Sequence, residues 1–164
     1  MFLYRENEIH LLNEDFDKPN STINFIFGRR KVGKSSLVNE YIKNKNTLYL
    51  VSFETMTSLL LSEFKKSIDI FFNMKNSQEL LTLEDLFSYL SNNIVNNKVV
   101  IVLEDIHNLL KIDKDFLVNF NNYWNKYLKY MNIQFIITSS LLPNNFESLQ
   151  IAKKVNNKIR LQSL

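Results

Sequence analysis

The sequence predicts an α/β domain in which a mainly parallel, five-stranded sheet lies between two layers of helices. Short, continuous runs of apolar residues alternate along the chain with longer segments that have helical spacing. The apolar residues in those runs are mostly continuous and do not alternate regularly with polar ones, which is typical of strands buried on both faces. The 164 residues, 45% of them hydrophobic, suit a single domain over 1–164, and no repeat or linker divides them.

Each element has its own local signal. Apolar runs predict strands over residues 23–27, 47–53, 99–103, 133–138 and 158–161. Helical spacing covers residues 5–14, 35–43, 59–72, 83–93 and 116–130. Thr82 and Asp85 stand at capping-box spacing before the fourth of these helices. We expect the strands at 23–27 and 133–138 to be central neighbours, with 99–103 next outward.

Composition excludes several classes of function. Cysteine is absent, so there are no disulfides, no thiol catalysis and no zinc–thiolate site. His10 and His107 lack partners at ligand spacing, so they predict no metal site. A net charge of +3 makes no strong electrostatic case for nucleic acid. Neither a signal peptide nor a membrane span is recognisable, which predicts a cytoplasmic protein that does not bind membranes.

Glycine usage points at one segment. The chain contains two glycines, where average usage predicts about eleven. Both lie in residues 28–35, GRRKVGKS, which fit the pattern G-x-x-x-x-G-K-[ST] of a phosphate-binding loop. The motif follows a predicted strand and opens a predicted helix, as its mechanism requires. The predicted nucleotide contacts are Gly28, Arg29, Arg30, Lys31, Val32, Gly33, Lys34, Ser35 and Ser36.

The residue types in this loop suit a magnesium nucleotide. Loop N–H groups and the helix N-terminus bind phosphate oxygens, and Lys34 adds a compact positive charge. Ser35 offers a hydroxyl ligand to Mg²⁺. GTP is not favoured because no Asn-Lys-x-Asp motif is present, and a dinucleotide fold is disfavoured because no G-x-G-x-x-G occurs. ATP with Mg²⁺ is therefore the predicted ligand pair.

An acidic pair ends the most strand-like run, VVIVLED. Glu104 and Asp105 follow the apolar residues 99–103, at the strand end where open α/β sheets bind ligands. One carboxylate would hold the Mg²⁺ shell and the other would orient or deprotonate the attacking water. Ser139, which ends the fourth predicted strand, is a further catalytic candidate, and a polar strand cap is the alternative. For Lys158 or Arg160, contact with a phosphate is the alternative to a solvated edge. For Arg5 and Glu8, contact with the base or sugar is the alternative to a solvated first helical turn.

Taken together, these segments resemble the predicted P-loop ATPases of archaea and bacteria, the archaeal ATPase family related to the STAND and AAA+ groups. The resemblance covers about residues 2–164 and is limited to the nucleotide-binding core. It is carried by the segments FLYRENEIHLL, FIFGRRKVGKSSLVNEYI, NTLYLVSFET, IVLEDIHNLL, FNNYWNKYL and FIITSSL. It implies a three-layer, ASCE-type P-loop NTPase fold, places Arg5 near the nucleotide base, and implies a homo-oligomer or protein partner that completes the site.

The sequence departs from the family pattern at three places. The family has Asp then Glu at the strand end, whereas Glu104 precedes Asp105 here. If roles follow position, Glu104 joins Ser35 at the metal and Asp105 is the base. Thr138 replaces the sensor glycine, and no Arg-containing loop is recognisable over residues 141–157. The family's lid and winged-helix region is not recognised and is expected to be absent.

Three functions remain open. The first is Mg²⁺-dependent ATP binding with slow hydrolysis, coupled to conformational change or assembly. The second is a nucleotide-binding interaction module without turnover, which the departures favour. The third is a DNA-associated remodelling ATPase, for which the small net charge gives little support.

Overall fold

The computed structural model describes residues 5–75 and 77–163, and over these residues the chain forms one five-stranded, fully parallel sheet. The strands are β1 (Thr22–Phe27), β2 (Thr47–Val51), β3 (Val99–Glu104), β4 (Ile133–Ser139) and β5 (Asn157–Arg160). Their order across the sheet is β2-β3-β4-β1-β5. This order confirms the prediction that the first and fourth strands are central neighbours with the third next outward.

Helices cover both faces, so the predicted three-layer α/β fold is confirmed. They are α1 (Glu6–Phe16), α2 (Lys34–Ile42), α3 (Thr57–Phe71), α4 (Leu83–Asn93), α5 (Ile106–Ile112) and α6 (Phe116–Tyr123). A π-helical turn at Trp124–Leu128 and 3₁₀ turns at Phe146–Ser148 and Gln150–Lys154 complete the regular structure. No helix within the described ranges is long and apolar enough to cross a membrane.

The core explains why the strands are apolar throughout. Within β3, Ile101 and Leu103 pack into the layer of α3 to α6, whereas Val100 and Val102 pack under α1 and α2. Alternate side chains therefore enter different layers, and neither set faces water. The capping box at α4 is present as predicted: the Asp85 N–H donates to the Thr82 hydroxyl over 3.1 Å, and the Asp85 carboxylate accepts from the Thr82 N–H over 3.0 Å.

Two helical segments differ from the sequence prediction. The helix predicted over residues 116–130 keeps α-helical bonding only to Tyr123 and then widens into the π turn. The seven-residue α5 was not predicted. It is a single short helical segment immediately after the acidic strand end, with Ile106 and Leu109 buried.

Candidate active site

The loop between β1 and α2 depends on its two glycines in different ways. A Cβ added at Gly28 would lie 2.5 Å from the Leu161 carbonyl oxygen, so the close approach of two backbones leaves no room there. Gly33 has φ +101°, a left-handed conformation that L side chains rarely adopt, whereas the space around it is open. The Gly28 N–H also donates to the Ser139 carbonyl over 3.2 Å, which fastens the loop to the end of β4.

Lys34 occupies the inside of this loop. Its side chain is buried, and Nζ donates to the carbonyl oxygens of Gly28 and Arg29 over 2.6 and 2.9 Å. Burial lowers the pKa of Lys34, while the negative charges of Asp105 and Glu104 oppose that shift. The structure thus holds a partly desolvated ammonium between the loop and the acidic strand end.

The acidic strand end meets the loop through Ser35. The Ser35 hydroxyl donates to Glu104 Oε1 over 2.5 Å, and the Tyr49 hydroxyl donates to the same oxygen over 2.8 Å. Tyr49 lies on β2, the strand paired with β3. Burial raises the pKa of Tyr49, and the neighbouring Glu104 carboxylate raises it further. One carboxylate oxygen is therefore fixed by two hydroxyl groups.

Asp105 lies at the turn between β3 and α5. Its φ is +59° and its ψ +47°, the left-handed conformation that Asp tolerates better than most residues. The Asp105 N–H donates to the Thr138 hydroxyl over 3.0 Å, and its carbonyl accepts from the Asn108 N–H over 2.9 Å. Thr138 thus supplies a hydrogen-bond acceptor to the acidic turn.

Ser139 is fully buried at the end of β4, beside Phe27 of β1. Its hydroxyl donates to the Leu141 carbonyl over 2.7 Å, an arrangement that matches the polar strand cap. A contact between Ser139 and a phosphate stays a prediction. The next residue, Ser140, donates its N–H to His107 Nδ1 over 3.1 Å.

The remaining predicted contacts surround the loop. Arg5 donates to the carbonyl oxygens of Val32 and Gln162 over 3.4 and 2.8 Å and pairs with Glu8. Residues 2–4 of the same predicted segment lie outside the described residues. The side chains of Arg29, Arg30, Lys31, Ser35 and Ser36 are exposed.

An open cleft of about 420 Å³ lies beside the start of the loop. Residues 27–29, Val32, residues 140–142 and residues 160–163 line it. Arg160, whose side chain is exposed, is part of this lining and stands opposite Phe27 in the β1–β5 register. A volume of this size is within the range of small-molecule sites.

The donor set fits Mg²⁺ better than a tightly bound transition metal. Among the described residues, no group of three or more His, Cys, Asp or Glu is placed to hold a metal ion. The Ser35 hydroxyl and the Glu104 carboxylate are hard oxygen donors, and Mg²⁺ commonly takes its other ligands from water and phosphate. Tyr49, Thr138 and His107 belong to the site by their contacts, although the sequence did not single them out as functional.

The chain matches a family model described as "ATPase domain predominantly from Archaea" over residues 2–159. It is 29% identical over 140 residues to an uncharacterised protein of Methanocaldococcus jannaschii, covering 85% of this chain and 30% of that protein. Among solved structures, it is similar to the Walker-type ATPase of Pyrococcus abyssi, with 15% identity, a TM-score of 0.64, and coverage of 96% and 53% of the two chains.

The Orc1 protein of Aeropyrum pernix, solved in complex with DNA, is also similar in fold. The identity is 17% and the TM-score 0.67, with coverage of 99% of this chain and 46% of that one. This chain therefore spans about a third of the curated relative's length and about half of each of these two solved chains. At such low identity the structural likeness shows the shared fold.

Proposed function

We propose that this chain, which belongs to the family of ATPase domains found predominantly in Archaea, binds ATP together with Mg²⁺ and hydrolyses it slowly. The observation that carries the proposal is the 2.5 Å contact between the Ser35 hydroxyl and Glu104, beside the buried ammonium of Lys34. This contact joins the phosphate loop to the acidic strand end, the two halves that a magnesium-nucleotide site requires.

Each side chain has a defined task in this proposal. Loop N–H groups bind the phosphate oxygens, and Lys34 Nζ, which now donates to two loop carbonyls, turns to the β- and γ-phosphates. Ser35 and Glu104 would hold the metal, Glu104 through water. When bound, Mg²⁺ would neutralise part of the charge on the phosphate oxygens. The cleft lined by Val32 and Gln162, whose carbonyl oxygens accept hydrogen bonds from Arg5, would accept the base or ribose.

Asp105 is the proposed base. Its carboxylate would take a proton from water as the water oxygen attacks the γ-phosphorus and the bond to the ADP oxygen breaks. Asp is one methylene shorter than the Glu that the family has at this position, and a misplacement of about 1 Å lowers a rate by roughly 10²-fold. Slow turnover is the expected consequence. In this proposal the hydrolysis is coupled to conformational change or assembly.

A nucleotide-binding module without turnover is the second candidate, and one observation favours it. The Ser139 hydroxyl is engaged by the backbone of Leu141, and among the described residues it makes no hydrogen bond to Glu104 or Asp105. A DNA-associated ATPase is a weaker candidate, supported by fold likeness to the DNA-bound Orc1 protein.

Equilibrium binding of ATP with and without Mg²⁺ tests the proposal in three proteins: wild type, Lys34→Ala and Asp105→Asn. We expect Mg²⁺ to strengthen binding to wild type, Lys34→Ala to lose affinity, and Asp105→Asn to bind like wild type. Phosphate release by Asp105→Asn should fall by about 10²- to 10⁴-fold, the usual contribution of a general base. Unchanged release in Asp105→Asn would remove the assigned base, and tight binding without release in wild type would establish the second candidate.

A further inference from the structure

Two hydrogen bonds join the acidic turn to the end of β4. The Asp105 N–H donates to the Thr138 hydroxyl over 3.0 Å, and the Ser140 N–H donates to His107 Nδ1 over 3.1 Å. The two bonds run in opposite directions, because the first donor, Asp105, lies in the acidic turn and the second, Ser140, follows β4. The two bonds therefore hold residues 105–107 against residues 138–140, and we call this pair of contacts the clamp.

The clamp continues into the phosphate loop. The Ser139 carbonyl lies between Thr138 and Ser140 in the chain and accepts the Gly28 N–H over 3.2 Å. The bonded path thus runs from the start of the loop, through the end of β4, to the turn that carries Asp105. Such a path can fix the distance between a phosphate and a base that would act on it.

The left-handed turn at Asp105 makes this fixation necessary. A non-glycine residue held in the left-handed region costs about 1–2 kcal/mol and persists where neighbouring contacts hold it. The Asp105 N–H has its partner in Thr138, and His107, two residues on, secures the far side of the turn. Without the His107 contact, one of the two bonds that hold the turn against β4 is lost.

We propose that His107 is a positioning residue: its neutral Nδ1 atom accepts the Ser140 N–H and thereby fixes the Asp105 turn relative to the phosphate loop. The effect on rate rests on the proposed ATP hydrolysis, whereas the clamp itself does not. The contact requires the imidazole to carry its proton on Nε2, because Nδ1 is the acceptor. This differs from a histidine that only fills space, which needs no particular tautomer.

A matched pair of variants separates these roles. In His107→Asn, the side-chain Oδ1 can take the place of Nδ1 as acceptor, whereas His107→Leu keeps a similar volume and has none. We expect His107→Leu to lower kcat for phosphate release by about 10- to 100-fold, with KM for ATP within about twofold of wild type. The reason is that the substitution misplaces the reacting groups but leaves the ATP-binding contacts in place. His107→Asn should recover most of the lost kcat. Equal loss in both variants, or none in His107→Leu, would overturn the positioning role.

Two further measurements do not depend on hydrolysis. Amide hydrogen exchange of Ser140 should be about tenfold faster in His107→Leu than in wild type, and close to wild type in His107→Asn. The ¹⁵N spectrum of the wild-type imidazole should show the Nε2–H tautomer, which requires no variant to fold. An Nδ1–H tautomer, or Ser140 exchange unaffected by His107→Leu, would refute the clamp. If wild type releases no phosphate while both measurements agree with expectation, only the proposed hydrolysis fails.

Discussion

Substituting alanine at each of the two glycines should have different consequences, and the structure gives the size of each. At Gly28, the new Cβ would lie 2.5 Å from the Leu161 carbonyl oxygen, where ordinary contact begins near 3.4 Å. The two backbones must therefore separate by about 1 Å, which is enough to cost roughly 10²-fold in a positioned reaction. The Leu161 backbone cannot move away without loss of a hydrogen bond, because its N–H donates to the Phe27 carbonyl over 2.8 Å.

At Gly33 the obstacle is conformational. Nothing lies within 4 Å of a Cβ built there, but φ +101° strains any L side chain by about 1–3 kcal/mol. We expect Gly33→Ala to lower the free energy of unfolding by that amount. Gly28→Ala should instead lower ATP affinity or phosphate release by about 10²-fold through displacement of the loop start.

Urea unfolding and ATP titration of both variants measure the two effects separately. Each variant is the control for the other, since both add one methyl group to the same loop. If Gly28→Ala binds ATP and releases phosphate as wild type does, the backbone contact with Leu161 does not shape the site. A Gly33→Ala protein as stable as wild type would contradict the left-handed conformation.

Three further predictions concern side chains around the sheet. Tyr49→Phe removes a hydrogen bond to a carboxylate, worth about 1.5–3 kcal/mol, and should raise the Mg²⁺ concentration needed for ATP binding about tenfold. In the control Tyr41→Phe, whose buried hydroxyl donates to Gln134 and not to Glu104, the loss should appear in urea unfolding and leave the Mg²⁺ requirement unchanged. Burial lowers the pKa of His107; the negative charge of Asp105 opposes this shift, and the cations Lys111, Lys34 and Arg30 add to it, so the native state resists protonation. The stability that this group contributes should be complete above about pH 6.5 and decline as the pH falls below that value, and urea unfolding of His107→Asn should show a smaller decline across that range. Thr82→Ala removes one half of the capping box and should lower the free energy of unfolding by about 1 kcal/mol, a change that calorimetry would detect.

The strands could be predicted because one physical cause determines them. A central parallel strand is buried on both sides, so β3 is an unbroken apolar run up to Glu104, and β4 is mainly apolar with the buried Gln134 as an interruption; the burial of both strands in the structure is nearly complete. The loop glycines could be predicted because the phosphate-loop pattern states where they must lie. The segment α5 could not be predicted because it is only seven residues long: Ile106, Leu109 and Leu110 stand at helical spacing, but a helical period is recognised over about 11 residues or more.

The contacts inside the site required the tertiary structure. Tyr49 reaches Glu104 because β2 pairs with β3, and the strand's sequence gives no sign of that neighbour. His107 looked isolated because its partner is a backbone N–H at Ser140, 33 residues away along the chain. The π turn at Trp124–Leu128 likewise interrupts a helical pattern that the sequence alone would continue. Side-chain contacts between paired strands and bonds to distant backbone N–H groups are thus what sequence patterns convey least.

The central claim is that the loop carrying Lys34 and the acidic strand end act together on ATP. Phosphate release from ATP in the presence of Mg²⁺, measured for wild type and for Lys34→Ala at matched concentrations, tests it most directly. We expect slow release by wild type that Lys34→Ala abolishes, because the buried ammonium supplies the positive charge at the phosphates. Equal release by the two proteins would contradict it.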